Sequence, residues 1–226
     1  MDAAHDGTDR AAARGRPLVL QISALSVDGR ICEAGTEFEA WADPVVDERR
    51  DAWMVDSLWR AGVHIMGSTT FRDMSAWWPT STGVFAEVMN SIPKVGFSHS
   101  MTTTTWADSR IADGDLVQEI RALRAEGGGE IIAHGGATFA RSLVAADLVD
   151  EYRLVVYPFA ANRGASLFEA VSRGRPLRLD SCTPFPSGCV ALVYRPERRS
   201  EVSPADIAVG DTATDREDER PWAPTS

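Results

Sequence analysis

The sequence predicts a three-layer α/β domain: a mixed, mostly parallel sheet with helices on both faces, ending in an antiparallel hairpin. Three observations carry this. Short apolar, β-branched runs alternate with amphipathic helical patterns along most of the chain, the order that builds parallel strands with crossover helices. Two of these runs end in glycine turns that open a helix, Gly67-Ser-Thr-Thr70 and Gly135-Gly-Ala-Thr138. The last two strand-like segments flank Pro184-Phe-Pro-Ser-Gly188, which reads as the turn of a hairpin.

The elements follow in order. Leu18 to Leu25 alternates as a first strand and leads into the turn Val27-Asp-Gly-Arg30. Asp43-Pro44 reads as a helix start, Asp as N-cap and Pro at the first helical position; the helix carries Val46, Trp53, Met54 and Leu58 and stops at Gly62. Val63 to Met66 is a short buried strand before the first glycine turn, after which come Phe71, Met74 and Trp77-Trp78-Pro79. Lys94 to Ser98 is a strand. Asp115 caps a helix bearing Leu116, Ile120 and Leu123, and Gln118 completes a capping box. Ile131 and Ile132 form a strand before the second glycine turn, whose helix places Phe139, Leu143 and Val144 on one face. Tyr152 to Phe159 is the strongest strand signal, Ser166 to Val171 a single helical turn, and Leu177 to Thr183 with Cys189 to Tyr194 the hairpin.

Composition bounds the function. The chain has 226 residues, 44% of them hydrophobic, enough for one domain with a sizeable core. A net charge of −10 disfavours nucleic acid as a partner. Residues 197–226 hold eight acids against four bases, so part of that charge belongs to the tail. No run of about 18 apolar residues is present, so no membrane partner is expected. Residues 1–16 lack the apolar stretch of a secretory signal and read as a disordered leader. The folded domain is expected over 17–196, with an acidic disordered tail over 197–226. Cys32, Cys182 and Cys189 match neither a metal spacing nor a disulfide framework, so no metal and a cytoplasmic setting are expected. Cys182 and Cys189 are positioned to face each other across the hairpin as a reduced pair.

The glycine turns carry the chemistry. A strand that stops in glycine and opens a helix leaves backbone N–H groups without side chains in the way, and such a helix N-terminus attracts anions. Neither G-x-G-x-x-G nor G-x-x-x-x-G-K-[ST] occurs, so the turns do not name their ligand by motif.

Five segments together resemble one family: Gln21 to Ile31, Ile65-Met-Gly-Ser-Thr-Thr-Phe71, Pro93-Lys-Val-Gly-Phe-Ser98, Ile131-Ile-Ala-His-Gly-Gly-Ala137 and Leu148-Val-Asp-Glu-Tyr-Arg-Leu154, with Ser166-Leu-Phe168 beside them. In this order they resemble the dihydrofolate reductase superfamily, most closely the C-terminal reductase domain of bacterial bifunctional riboflavin-biosynthesis deaminase-reductases, in stand-alone form. The resemblance implies a dihydrofolate reductase-like fold and a reductase using NADPH, with NADH as the alternative. It implies that Gly67, Ser68, Thr69 and Thr70 hold the cofactor phosphates, that Gly135, Gly136, Ala137 and Thr138 carry the pyrophosphate, and that Ser98 and His99 flank the adenosine. Ala24 and Leu25 would lie near the nicotinamide, and His134 would line the groove. Two positions depart from the family pattern: Ser68 and His99 stand where arginine is common. The resemblance further implies a small-molecule substrate and a homodimer.

Candidate catalytic and substrate residues come from the same comparison. Asp51, sixteen residues before Gly67, matches the spacing of the substrate-orienting carboxylate, although it sits among Asp47, Glu48, Arg49, Arg50 and Asp56. Trp77 and Trp78 are candidates to border the substrate. His64 reads as a strand residue with a satisfied ring, and Glu151 with Arg153 as a surface ion pair without a role. The expected activity is hydride transfer to a small heterocyclic or conjugated substrate. The alternatives are a non-catalytic nucleotide-binding protein on the same fold and a true pyrimidine or dihydrofolate reductase.

Overall fold

The computed structural model describes residues 15–169, 171 and 174–197. The disordered leader and acidic tail expected from the sequence therefore lie outside the described residues, apart from Gly15, Arg16 and Glu197. Arg16 already belongs to the fold: it is buried, and its Nε donates to the Gly129 carbonyl at 2.7 Å.

Among the described residues eight strands form one sheet: β1 (Leu18–Ser26), β2 (Ala61–Gly67), β3 (Lys94–Phe97), β4 (Ser109–Ala112), β5 (Glu130–His134), β6 (Glu151–Tyr157), β7 (Leu177–Pro184) and β8 (Val190–Pro196). Their order is β4-β3-β2-β5-β1-β6-β8-β7. Every pairing from β4 through β6 is parallel, and β8 and β7 close the sheet antiparallel. This is the mixed, mostly parallel α/β sheet with a terminal hairpin. β4 was not evident in the sequence. It is four residues long at the sheet edge, and only Ala112 in it is buried.

Among the described residues six α-helices pack on the sheet: α1 (Glu37–Ala42), α2 (Glu48–Leu58), α3 (Ser68–Trp77), α4 (Ala86–Ser91), α5 (Leu116–Ala125) and α6 (Ala137–Ala145). Strand alternation assigns them to two faces. Leu18, Leu20, Ile22, Val63, Ile65, Ile131 and Ala133 meet α5 and α6 through Ile120, Leu123, Ala140, Leu143 and Val144. On the other face Val19, Met66 and Ile132 meet Leu58, Phe71, Val88 and Met89 from α2, α3 and α4. A third cluster, with Phe38, Met54, Tyr157 and Phe185, seats α1 and α2 against the hairpin end.

The helix start expected at Asp43-Pro44 is corrected. The Thr36 hydroxyl accepts from the Glu39 N–H at 3.2 Å and opens α1, which ends at Asp43. Asp47 then caps α2, its Oδ1 accepting from both the Arg49 and Arg50 N–H groups at 3.1 Å. Asp47 wins because its second oxygen also accepts the Ser187 N–H at 2.8 Å, a tertiary contact no local pattern reveals. Val46 accordingly lies outside the helix and is exposed. Asp115 caps α5 through the Gln118 N–H at 2.9 Å, but no return bond from the Gln118 amide is present among the described residues. The turn within 166–171 is closed by the Val171 N–H on the Phe168 carbonyl at 3.1 Å.

Two further expectations change. The β7–β8 register sets Cys182 opposite Leu192, so it does not face Cys189; Cys182 is exposed and Cys189 buried. Glu151 and Arg153 do pair, at 2.7 Å, but inside the protein. The Arg153 side chain is 2% exposed and also meets Glu130 at 2.8 Å, while Nη1 donates to the Ser57 hydroxyl at 2.9 Å. Ser57 in turn donates to the Gln21 amide oxygen at 2.7 Å, so one polar network ties α2 to three strands.

Candidate functional site

Parallel strands place their carboxyl ends on one side, and there β1, β2, β3, β4 and β5 end around a cleft of about 1080 Å³. Its floor is made by the two glycine turns. β2 ends in Gly67, the N-cap of α3, and Gly136 is the N-cap of α6; neither cap supplies a side-chain hydrogen bond. By contrast α2 and α5 are capped by the aspartates Asp47 and Asp115. The first N–H groups of α3 and α6 are thus left free where the cleft runs past Ser68, Thr69, Ala137 and Thr138.

The turns are held against each other. The Thr70 hydroxyl donates to the Gly135 carbonyl at 3.0 Å. Gly136 has φ +111°, and a Cβ there would lie 2.4 Å from Thr70 Oγ1. A Cβ on Gly67 would lie 2.8 Å from Cβ of Phe139. Both glycines are therefore required by close approach, which brings two helix N-termini to one place.

The structure gathers most of the residues expected at the site. Ala24, Gly67, Ser68, Thr69, Thr70, Ser98, His99, His134, Gly135, Gly136, Ala137 and Thr138 all line the cleft. Leu25 does not; it points into the core beside Ile31. Asp51 is also absent from the lining, its Oδ1 accepting from Arg50 Nε at 3.0 Å and Nη2 at 2.8 Å. Trp77, at the end of α3, is 65% exposed, and Trp78 packs beside Phe85 at 6.5 Å between ring centroids; neither lines the cleft.

Sequence reasoning missed Glu39, Cys32, Glu33 and Asp73, which do line it. Cys32 and Glu39 arrive because β1 folds back: the Cys32 N–H donates to the Ala24 carbonyl at 3.0 Å, and α1 follows directly. The Glu39 carboxylate accepts the Gly35 N–H at 2.6 Å. Burial, with Glu39, Asp43 and Glu33 nearby, pushes the Cys32 thiol up to about 11, so it stays protonated at neutral pH. The signal for Glu39 was the Thr36-x-x-Glu39 capping pattern, masked by the stronger-looking Asp43-Pro44.

His134 closes the floor at the end of β5. Its Nε2 lies 3.0 Å from Nδ1 of His64 on β2, and His64 Nε2 has no partner among the described residues. The His64 ring is therefore only half satisfied. Burial depresses His134 to about 4 and, reinforced by His134 and Lys94, holds His64 well below the usual 6.5. Both rings are neutral in the folded protein, whereas the unfolded chain binds protons below about 6.5. Stability is thus undiminished above pH ~6.5 and falls as pH drops toward ~4. Unfolding free energy measured by urea titration is expected to decline from pH 7 to pH 5, and the variant His64→Gln/His134→Gln should flatten that slope. An unchanged slope in the variant would assign the decline elsewhere.

Among the described residues no group of three or more His, Cys, Asp or Glu side chains is arranged to hold a metal ion, and no helix is long and apolar enough to cross a membrane.

Comparison with known proteins bears on this geometry. The model of the RibD C-terminal domain family matches residues 17–191. The uncharacterized protein YyaP of Bacillus subtilis (strain 168) is 31% identical over 80 residues, 35% of this chain and 43% of that protein, so the match spans under half of its length. A crystal structure of a Shewanella sp. PV-4 protein provisionally assigned to riboflavin biosynthesis superposes with a TM-score of 0.66 at 21% identity, covering 80% of this chain and 99% of that one. Dihydrofolate reductase from Enterococcus faecalis, complexed with NADP(H) and RAB-propyl, superposes with a TM-score of 0.55 at 13% identity, covering 80% and 97%. The two structural likenesses establish a dihydrofolate reductase-like fold.

Proposed function

The chain belongs to the RibD C-terminal domain family, and we propose that it is a reductase that moves hydride from NAD(P)H to a small heterocyclic or conjugated substrate. The observation that carries this reading is the pair of helix N-termini without side-chain caps, pinned together by the Thr70–Gly135 bond with a glycine where a Cβ would collide. Such a cradle fits a diphosphate: free N–H groups from two helices converge where the Thr70 side chain pins the two turns together.

The bound coenzyme would supply the hydride, chemistry that demands of the protein mainly position and exclusion of water. The N–H groups of Ser68, Thr69, Thr70 and Thr138 and the hydroxyls of Ser68, Thr69 and Thr138 would hold the phosphates, the Thr70 hydroxyl being given to the Gly135 carbonyl. Ile22, Ala24 and Ile31, where β1 ends, would offer the apolar wall for the nicotinamide. Glu39, which faces the cleft, takes the substrate-orienting part that spacing suggested for Asp51, whose carboxylate is held by Arg50. The reading makes the protein a cytoplasmic enzyme with a small-molecule substrate.

The test is a coenzyme titration of the full chain, reading tryptophan quenching and energy transfer to the reduced nicotinamide, followed by oxidation with a panel of quinones and dihydropteridines. Saturable binding with turnover is expected. Saturable binding without turnover across the panel would favour a nucleotide-binding protein, and no binding at millimolar coenzyme would end the proposal.

A further inference from the structure

Resting on that reading, we propose that the cleft selects NADH over NADPH, with Asp115 and His99 as the specificity-determining residues at its adenosine end. Four carboxylates line the cleft, Glu33, Glu39, Asp73 and Asp115, and no lysine or arginine does among the described residues. All attraction for a diphosphate therefore comes from backbone N–H groups and hydroxyls. Those groups are committed at the two glycine turns in the middle of the cleft. A 2′-phosphate adds close to two further negative charges away from that centre and needs a cation of its own.

The geometry says where that phosphate would fall. β1 to β4 spans four strand intervals, about 19 Å at ~4.8 Å each. The diphosphate cradle sits over β5 and β2, between the ends. One arm of a dinucleotide then reaches Ala24, Cys32 and Glu39 beyond β1, and the other reaches Ser98, His99, Gly114 and Asp115 beyond β3 and β4. In α/β nucleotide sites a carboxylate accepts from the ribose 2′-hydroxyl of NAD, whereas an arginine accommodates the 2′-phosphate of NADP. Here the adenosine arm offers a carboxylate and an exposed imidazole. Asp115 Oδ1 is used in capping α5, and its other oxygen makes no hydrogen bond among the described residues. The preference for NADH holds for either direction of the coenzyme, because Glu33 and Glu39 line the opposite arm, while the roles of Asp115 and His99 follow from adenosine lying beyond β3 and β4.

The arginines near these segments in the sequence do not change the balance. Arg110 pairs with Glu119 and Arg141 with Glu169, and neither these nor Arg72 lines the cleft.

The experiment compares dissociation constants of the full chain for NADH and NADPH at fixed ionic strength. Wild-type protein is expected to bind NADH at least about tenfold more tightly. His99→Arg should shift the NADPH-to-NADH affinity ratio about tenfold toward NADPH. Asp115→Ser keeps an N-capping oxygen for α5 but removes the charge, so its NADH-to-NADPH preference should shrink even though the helix stays capped. Equal affinities in the wild type, or tighter NADPH, would overturn the proposal and leave the reductase reading standing. A preference unchanged in both variants would also overturn it. Binding of neither coenzyme would instead bring down the reductase reading, and this inference with it.

Discussion

Gly136→Asp is expected to abolish coenzyme binding while the protein still folds. Three effects converge at this position. The backbone holds φ +111°, which L side chains rarely adopt. Any Cβ would meet Thr70 Oγ1 at 2.4 Å and force apart the Thr70–Gly135 bond that joins the two helix N-termini. A carboxylate there would also cancel the positive potential of those N-termini. The loss should exceed about a hundredfold in dissociation constant, or ~2.7 kcal/mol. Gly136→Ala should fall between, losing geometry without adding charge. Gly83→Asp, outside the cleft and with only Ser81 Oγ near its Cβ at 3.6 Å, is the matched control and should bind normally. Unaltered affinity in Gly136→Asp would remove the cradle from the site.

Arg153→Met is expected to destabilise the fold by about 3–5 kcal/mol, because it strands the Glu130 carboxylate that a buried cation had paired. The guanidinium meets Glu151 at 2.7 Å and Glu130 at 2.8 Å, and it holds Ser57 on α2. Glu151 retains Arg195 at 2.8 Å, but Glu130 loses its cation. Urea unfolding would measure the loss, and adding Glu130→Gln to Arg153→Met should recover part of it by removing the stranded charge. A loss under about 1 kcal/mol would show that solvent reaches the network.

The parts of the fold legible in the sequence were those where one local signal had one meaning. The runs at Leu18, Val63 and Ile131 are flanked by glycine or turn residues and are buried on both faces, so pattern and burial agreed. The segment from Thr36 to Asp47 defeated the reading because three residues in it, Thr36, Asp43 and Asp47, are each competent N-caps. Thr36 caps α1, and Asp47 prevails over Asp43 at α2 through Ser187, 140 residues away. That error hid α1 and with it Glu39. Asp51 was found by spacing alone, and spacing cannot show that the adjacent Arg50 turns back onto it. Glu151 and Arg153 lie two apart on β6 and looked like an ordinary surface pair. Their burial follows from strand order, since β6 lies between β1 and β8. The glycine turns were readable because close backbone approach leaves a mark in composition.

The hydroxyl-to-carbonyl link between Thr70 and Gly135 joins segments 65 residues apart in the chain. The intervening stretch contains β3, β4 and α5, and β2 meets β5 only through that long crossover. Each helix N-terminus forms locally, but their convergence waits for non-local strand pairing, the slow part of assembling such a topology. On the proposed reading, nucleotide affinity would be a late acquisition during maturation. Recovery of that affinity after dilution from denaturant would time completion of the central sheet, and truncated products ending before β5 would lack it altogether.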